Sequence, residues 1–225
     1  MQSDNYMINI KNDHLIKSSF SITYAFLFTT GTICLIEALT TKDEKIRHIM
    51  NVETAISFIA FYFYSVFLSK IKDHQIELKE ISQIRYVDWF MTTPFMLLSL
   101  GLVLSYNLKI NFKFSHFIIA MLLNWGMLLA GYLGEIGKID KKMATVGGFI
   151  LFGLLFYYIY WYYVKDKKSL VNLVTYLVFV ILWAIYGIAY LQNERIKNMI
   201  YNILDLFAKC FVGIGFWAYL VGLFN

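Results

Sequence analysis

The stretch RYVDWFMTTP, Arg85 to Pro94, sets an arginine, an aspartate and two threonines inside an apolar run long enough to cross a bilayer as a helix. A charge at mid-membrane depth costs about 2.5–3.5 kcal/mol on the mildest scale and marks a functional site by default. It needs a partner, and LDLFAKCF, Leu204 to Phe211, offers one. Asp205 and Lys209 are four residues apart and so share a helix face. A lysine ammonium in the membrane core is tolerable if it pairs with carboxylates. It is also tolerable if its amine is used covalently, for instance by condensing with an aldehyde to a Schiff base. If that imine is protonated it still needs counterions. Asp88 and Asp205 are a matched pair for it, and Arg85 balances the second negative charge.

Around Asp88 the polar residues fall on one stripe. Arg85 lies three residues back, Thr92 four ahead and Ser99 eleven ahead, about three helical turns or roughly 16 Å. A proton or ion path needs such a stripe. A Ser/Thr stripe that only glues helices together would explain the hydroxyls, but neither Arg85 nor Asp88.

These residues must be held by membrane-spanning helices. The chain has 225 residues, 59% hydrophobic and 19% aromatic, with only 16% charged, a balance too apolar for a soluble domain. Its apolar runs predict seven spans, near 19–40, 49–69, 82–104, 115–134, 143–164, 170–191 and 199–223. We expect a single domain over 1–225, preceded by a short polar segment of about 18 residues with no cleavable signal peptide. The connections, such as TKDEKIRH and VKDKKS, are short and hold most of the charge, with Lys and Arg on both faces. Arg85 and Lys209 are the two cations placed deep in spans, and Glu194 and Lys197 fall in the last loop. The single proline, Pro94, lies inside the third span, where it removes a backbone hydrogen bond and frees local carbonyls. Cys34 and Cys210 read as packing residues. The sequence offers no nucleophile–base set and no metal-binding cluster, so an enzyme is not expected. A net charge of +5 with this hydropathy gives no reason to expect a nucleic-acid partner.

Taken together these residues resemble the microbial (type I) rhodopsin family over nearly the whole chain. The pattern R-Y-x-D-W-x-x-T-T-P stands as Arg85, Tyr86, Asp88, Trp89, Thr92, Thr93 and Pro94. D-x-x-x-K stands as Asp205 and Lys209, and W-x-x-Y as Trp183 and Tyr186. The resemblance implies an all-α bundle of seven transmembrane helices around a retinal pocket. All-trans retinal would be held by Lys209 as a protonated Schiff base, with Asp88 and Asp205 as counterions and Asp88 as proton acceptor. Trp89 and Trp183 would sandwich the polyene, and Thr93, Met127, Gly131 and Tyr186 would complete the pocket. Met96 stands at the spectral-tuning position and suggests green absorption. The stretch GYLGE, Gly131 to Glu135, is similar to proteorhodopsins. The resemblance further implies a multi-pass protein of a cell membrane, the organism's own or an infected host's, and a homo-oligomer, trimer or pentamer.

Two departures matter. The proline usual after W-x-x-Y is Gly187, so helix six is expected to kink less. The classifying triplet of helix three reads Asp88, Thr92, Ser99, as in rhodopsins of giant viruses, and its last member is an acid in typical proton pumps. Serine donates no proton readily near neutral pH. Aligning ISFIAFYFY, Ile56 to Tyr64, with the family's helix-two pattern puts Glu53 one layer from Ser99. Burial there would favour the neutral acid, a candidate proton donor. The proton path would then run through Arg85, Asp88, Thr92, Ser99 and Glu53. The function expected is a light-driven outward proton pump. The alternative is a light-gated cation channel lined by Glu37, Asn51, Glu53 and Ser57. A photosensor would need a transducer, and Asp88 argues against chloride and sodium pumps.

Overall fold

The computed structural model describes residues 14–72 and 77–223. Helices α1 (His14–Thr40), α2 (Glu44–Lys72), α3 (Leu78–Asn107), α4 (Phe114–Glu135), α5 (Lys141–Tyr163) and α6 (Leu170–Ala189) follow in order. The seventh span is one rod in three parts: α7 (Glu194–Asp205), a π-helical segment (Leu206–Phe211) and α8 (Val212–Leu220). Among the described residues seven helical segments are long and apolar enough to cross a membrane. Most of the expected polar leader, residues 1–13, lies outside the described residues, and so does most of the signal-peptide reading.

Most helices begin before the expected spans, whereas α5, α6 and the last span end short of them, and at α2, α5 and α7 a polar side chain caps the start. Asp43 Oδ1 accepts from Lys45 N at 2.8 Å at the start of α2, and Asp140 Oδ1 from Lys142 N at 2.9 Å at the start of α5. Asn193 Oδ1 accepts from Ile196 N at 3.0 Å. Such side chains satisfy amide donors that a helix start leaves without partners. The last cap corrects the sequence reading: Glu194 and Lys197 stand in the first turns of α7, not in a loop.

Burial is uneven. In α3, 67% of the apolar stretch is enclosed, against 11% in α4, so α3 is the axis of the bundle and α4 one of its lipid-facing walls. Pro94 sits in α3 without ending it. The carbonyl it leaves without a helical partner, Phe90 O, accepts from Trp125 Nε1 of α4 at 3.2 Å. In α6, a Cβ at Gly187 would stand 2.7 Å from Phe149 Cζ. The glycine therefore lets the Phe149 ring close against a helix that is continuous through this point.

At the Ser99 end, fully buried Asn172 ties the bundle together. Its Nδ2 donates to Leu104 O and Tyr163 O, both at 3.1 Å, and its Oδ1 accepts from Asn107 Nδ2 at 2.8 Å. Asn172→Leu would take one partner each from two carbonyls and an amide, of which Leu104 O keeps Leu108 N. Each buried polar group so exposed costs about 1–3 kcal/mol. Thermal unfolding in detergent should show a clear drop in midpoint; an unchanged midpoint would mean that the clamp is not holding α3, α5 and α6.

Candidate functional site: a buried four-charge cluster beside an apolar cavity

Helix α3 and the seventh span bring the four expected charges together. Lys209 Nζ lies 2.8 Å from Asp88 Oδ2 and 3.5 Å from Asp205 Oδ1. Arg85 Nη1 lies 3.2 Å from Asp205 Oδ2. All four side chains are at most 1% exposed. Formal charges sum to zero, which makes the set tolerable in a low-dielectric interior.

Hydroxyls and amides from other helices fix each group. Asp205 accepts from Tyr64 OH of α2 at 2.8 Å and from Tyr186 OH of α6 at 2.6 Å. Arg85 donates from Nε to Asn198 Oδ1 at 3.1 Å, from Nη1 to Tyr64 OH at 3.2 Å, and from Nη2 to Asn202 Oδ1. Its guanidinium also lies 5.2 Å from the ring centres of Phe20 and Phe67, within cation–π range. Asp88 is held less tightly. Its Oδ1 has no hydrogen-bond partner among the described residues, so it keeps a free acceptor beside the lysine. Lys209 itself sits in the π-helical segment. Such a widened turn is an interruption found frequently at functional sites.

Lys209 and Asp205 also line an apolar cavity. Every residue the sequence assigned to a pocket lines it: Trp89, Thr93, Met96, Met127, Gly131, Trp183 and Tyr186. Phe149, Phe152 and Tyr201 join them, which sequence reasoning missed because nothing sets them apart among so many aromatics. A Cβ at Gly131 would stand 2.7 Å from Tyr86 OH, so the glycine makes room for that hydroxyl. Thr93 Oγ1 donates to Trp89 O at 2.6 Å and accepts from Asn124 Nδ2 at 2.7 Å. Walls of ring and methionine side chains with a single amine fit a long apolar aldehyde such as retinal.

Further along α3, Ser99 Oγ donates to Glu53 Oε1 of α2. Glu53 is 2% exposed, and a Cβ on Gly213 would stand 3.0 Å from its Oε2, so the bare glycine backbone accommodates the carboxyl. Thr92 Oγ1 bonds back to Asp88 O at 2.9 Å. Of the residues expected to line a channel, Ser57 is buried with Glu53, but Asn51 is exposed. Two positions along a helix turn a side chain roughly 200° away, so Asn51 and Glu53 do not share a face. Arg85 and Lys209 are not the only deep cations either, since Lys197 is fully buried between Glu135 and Glu194.

Removing one member of a buried ion pair costs about 3–5 kcal/mol, because its partner is left uncompensated. In the retinal-free protein, Lys209→Met should lower thermal stability by about that much, and adding Asp88→Asn should restore most of it. Equal midpoints for the single variant and the wild type would show that the cluster is not charge-balanced.

Comparison with known proteins places the fold as a whole. A family model described as bacteriorhodopsin-like protein matches residues 14–223. The solved structure of viral rhodopsin OLPVRII is 49% identical, with a TM-score of 0.90 over 94% of this chain and 100% of that one. Acetabularia rhodopsin I is 21% identical, with a TM-score of 0.76 over 93% of this chain and 95% of that one, a likeness of fold. Opsin-1 of Neurospora crassa is 26% identical over 153 residues, 60% of this chain and 48% of that protein, so the match spans about half of that relative's length. The chain thus belongs to the bacteriorhodopsin-like family of microbial rhodopsins, multi-pass retinal proteins of membranes that act as light-driven transporters or photoreceptors, and it shares nearly half its residues with a viral member.

Proposed function

We propose that the protein is a light-driven outward proton pump that uses all-trans retinal held by Lys209, with Asp88 as proton acceptor and Glu53 as proton donor. The observation that carries this reading is the 2.8 Å contact between Lys209 Nζ and Asp88 Oδ2. When bound, retinal supplies light absorption and a change of shape at the lysine. The rest falls to the chain's own residues. Asp88 Oδ2 takes the proton held at Lys209 Nζ. Asp205, gripped by Tyr64, Tyr186 and Arg85, stays fixed as the second counterion. Arg85 then shifts its charge toward the end where α7 begins, which under this reading is the outside. From the opposite end Glu53 returns a proton to Lys209 Nζ by way of Ser99, to which it is bonded. The donor acid and the hydroxyl that typical pumps place on helices three and two are exchanged here.

Residues 1–225 act as one domain in this proposal, embedded in a lipid bilayer and assembled as a trimer or pentamer. The open flanks of α4 to α6 are available to lipid or to neighbouring copies. A light-gated channel fits less well: Asn51 faces outward, Glu37 accepts from Trp217 Nε1 at 3.3 Å, and Glu53 is engaged by Ser99.

Lys209→Ala should give no visible pigment with added all-trans retinal; a surviving band would refute the assignment of the lysine. Asp88→Asn should shift the band to the red, since loss of the counterion lowers the excitation energy of a cationic polyene, and should abolish pumping. Pumping at the wild-type rate in that variant would remove Asp88 from the acceptor role.

The donor has its own test, flash photolysis of Glu53→Gln across pH. The deprotonated state should decay much more slowly than in the wild type, and azide should restore the rate. Unchanged decay, with a wild-type rate proportional to proton concentration, would make bulk water the donor.

A further inference from the structure

Arg85 is boxed in by aromatic rings as well as by hydrogen bonds. Its guanidinium carbon lies 5.2 Å from the ring centres of Phe20 and Phe67, 5.4 Å from that of Tyr64 and 5.9 Å from that of Tyr201. The tyrosines are engaged elsewhere too: Tyr64 OH donates to Asp205 Oδ2, and Tyr201 stacks on Tyr186 with ring centres 5.6 Å apart. Phe20 and Phe67 have no polar atom to offer. Both are fully buried and meet edge to face, with ring centres 6.0 Å apart. The face of a phenyl ring attracts a cation through its quadrupole, and most strongly where water is excluded.

The place of these two rings gives the attraction a direction. The end of the bundle where α7 begins is also where α1 and α3 begin and α2 ends. There Thr23 Oγ1 of α1 donates to Asn202 O at 3.0 Å, and Asn198 Nδ2 of α7 donates to Leu78 O of α3 at 3.2 Å. Tyr64 marks the level of Asp205. Phe67 stands three residues further along α2, about 4.5 Å nearer that end. Phe20 stands three residues before Thr23, displaced in the same direction. Ile16, Ile71, Leu78 and Ile81 are buried in the same apolar cluster as the rings. Arg85 therefore sits between carboxylates on one side and dry ring faces on the other.

We infer that Phe20 and Phe67 are positioning residues for Arg85: their faces draw its guanidinium toward the end where α7 begins, against the pull of Asp88 and Asp205 toward Lys209. This deepens the outward-pump reading and rests on it for the direction of transport. While both carboxylates are charged, they hold the cation inward. Once Asp88 Oδ2 has taken the proton of Lys209 Nζ, one of the two inward pulls is gone, and the ring faces shift the balance outward. The guanidinium moves without taking on water, because the faces supply attraction that hydration would otherwise give.

The test replaces Phe67 by phenylalanines that carry progressively more ring fluorines, which keep the shape and weaken the negative face. The guanidinium then rests nearer Asp88 and Lys209, where its charge offsets part of the counterion field and lowers the excitation energy. In full-length pigment in lipid nanodiscs the visible band should move stepwise to the red with fluorine content. The same series at Phe63, whose ring centre is 6.5 Å from that of Phe67, should leave the band in place, and so should the Phe67 series in an Arg85→Gln background. After a flash, the absorbance change as Lys209 Nζ loses its proton should keep its timing, while proton arrival at a water-soluble pH dye slows with fluorine content. A band that stays put in the Phe67 series, that moves equally in the Phe63 series or without Arg85, or a dye signal indifferent to the fluorines overturns this inference and leaves the pump reading intact. A wild type that releases no proton overturns the pump reading, and the band series still decides whether the rings hold Arg85.

Discussion

The structure depends on one electrostatic constraint: four charges in a membrane interior must cancel. At 2.8 Å the Lys209–Asp88 attraction is roughly 6 kcal/mol for an effective dielectric of about 20. Burying each charge costs about 2.5–3.5 kcal/mol on the mildest scale. Pairing and burial are therefore of similar size, and the cluster stands only if every contact is kept. That is why α2, α6 and α7 all send hydroxyls and amides to it, through Tyr64, Tyr186, Asn198 and Asn202. It is also why α3 is the most enclosed helix: it carries Arg85 and Asp88, and their partners come from around it.

A system balanced this closely is easy to switch. Moving one proton from Lys209 Nζ to Asp88 Oδ2 neutralises both groups and leaves Asp205 and Arg85 as a separate pair. Nothing large has to move for the field along α3 to change. Hydrogen-bonded groups flank the cluster on both sides, Glu53 with Ser99 at one end and Glu194 with Ser82 at the other. The polar stripe on α3 thus has a carboxyl group from another helix at each end.

Much of this was legible in the sequence because the membrane makes charge expensive. Arg85, Asp88, Asp205 and Lys209 stood out against apolar runs, and four-residue spacing put two of them on one face. Glu53 could be set beside Ser99 only through the resemblance of Ile56 to Tyr64 to the family's helix-two pattern. Other features left no such trace. Lys197 looked like a loop cation because only the Asn193 cap starts α7 early enough to bury it. Asn51 was grouped with Glu37, Glu53 and Ser57 as polar residues of the first two helices, although helical geometry turns it away from Glu53. Phe149, which packs against Gly187, carried no signal in a chain so rich in aromatics. The π-helical turn around Lys209 depends on packing along the whole last span, which local propensity does not record.

The central claim is that this cluster moves protons in one direction under light. The most direct measurement is external pH in a suspension of illuminated cells that carry the protein and retinal, with and without a protonophore. The account predicts acidification of the medium that the protonophore abolishes. No change in pH, or a photocurrent that reverses sign with membrane voltage, would contradict it.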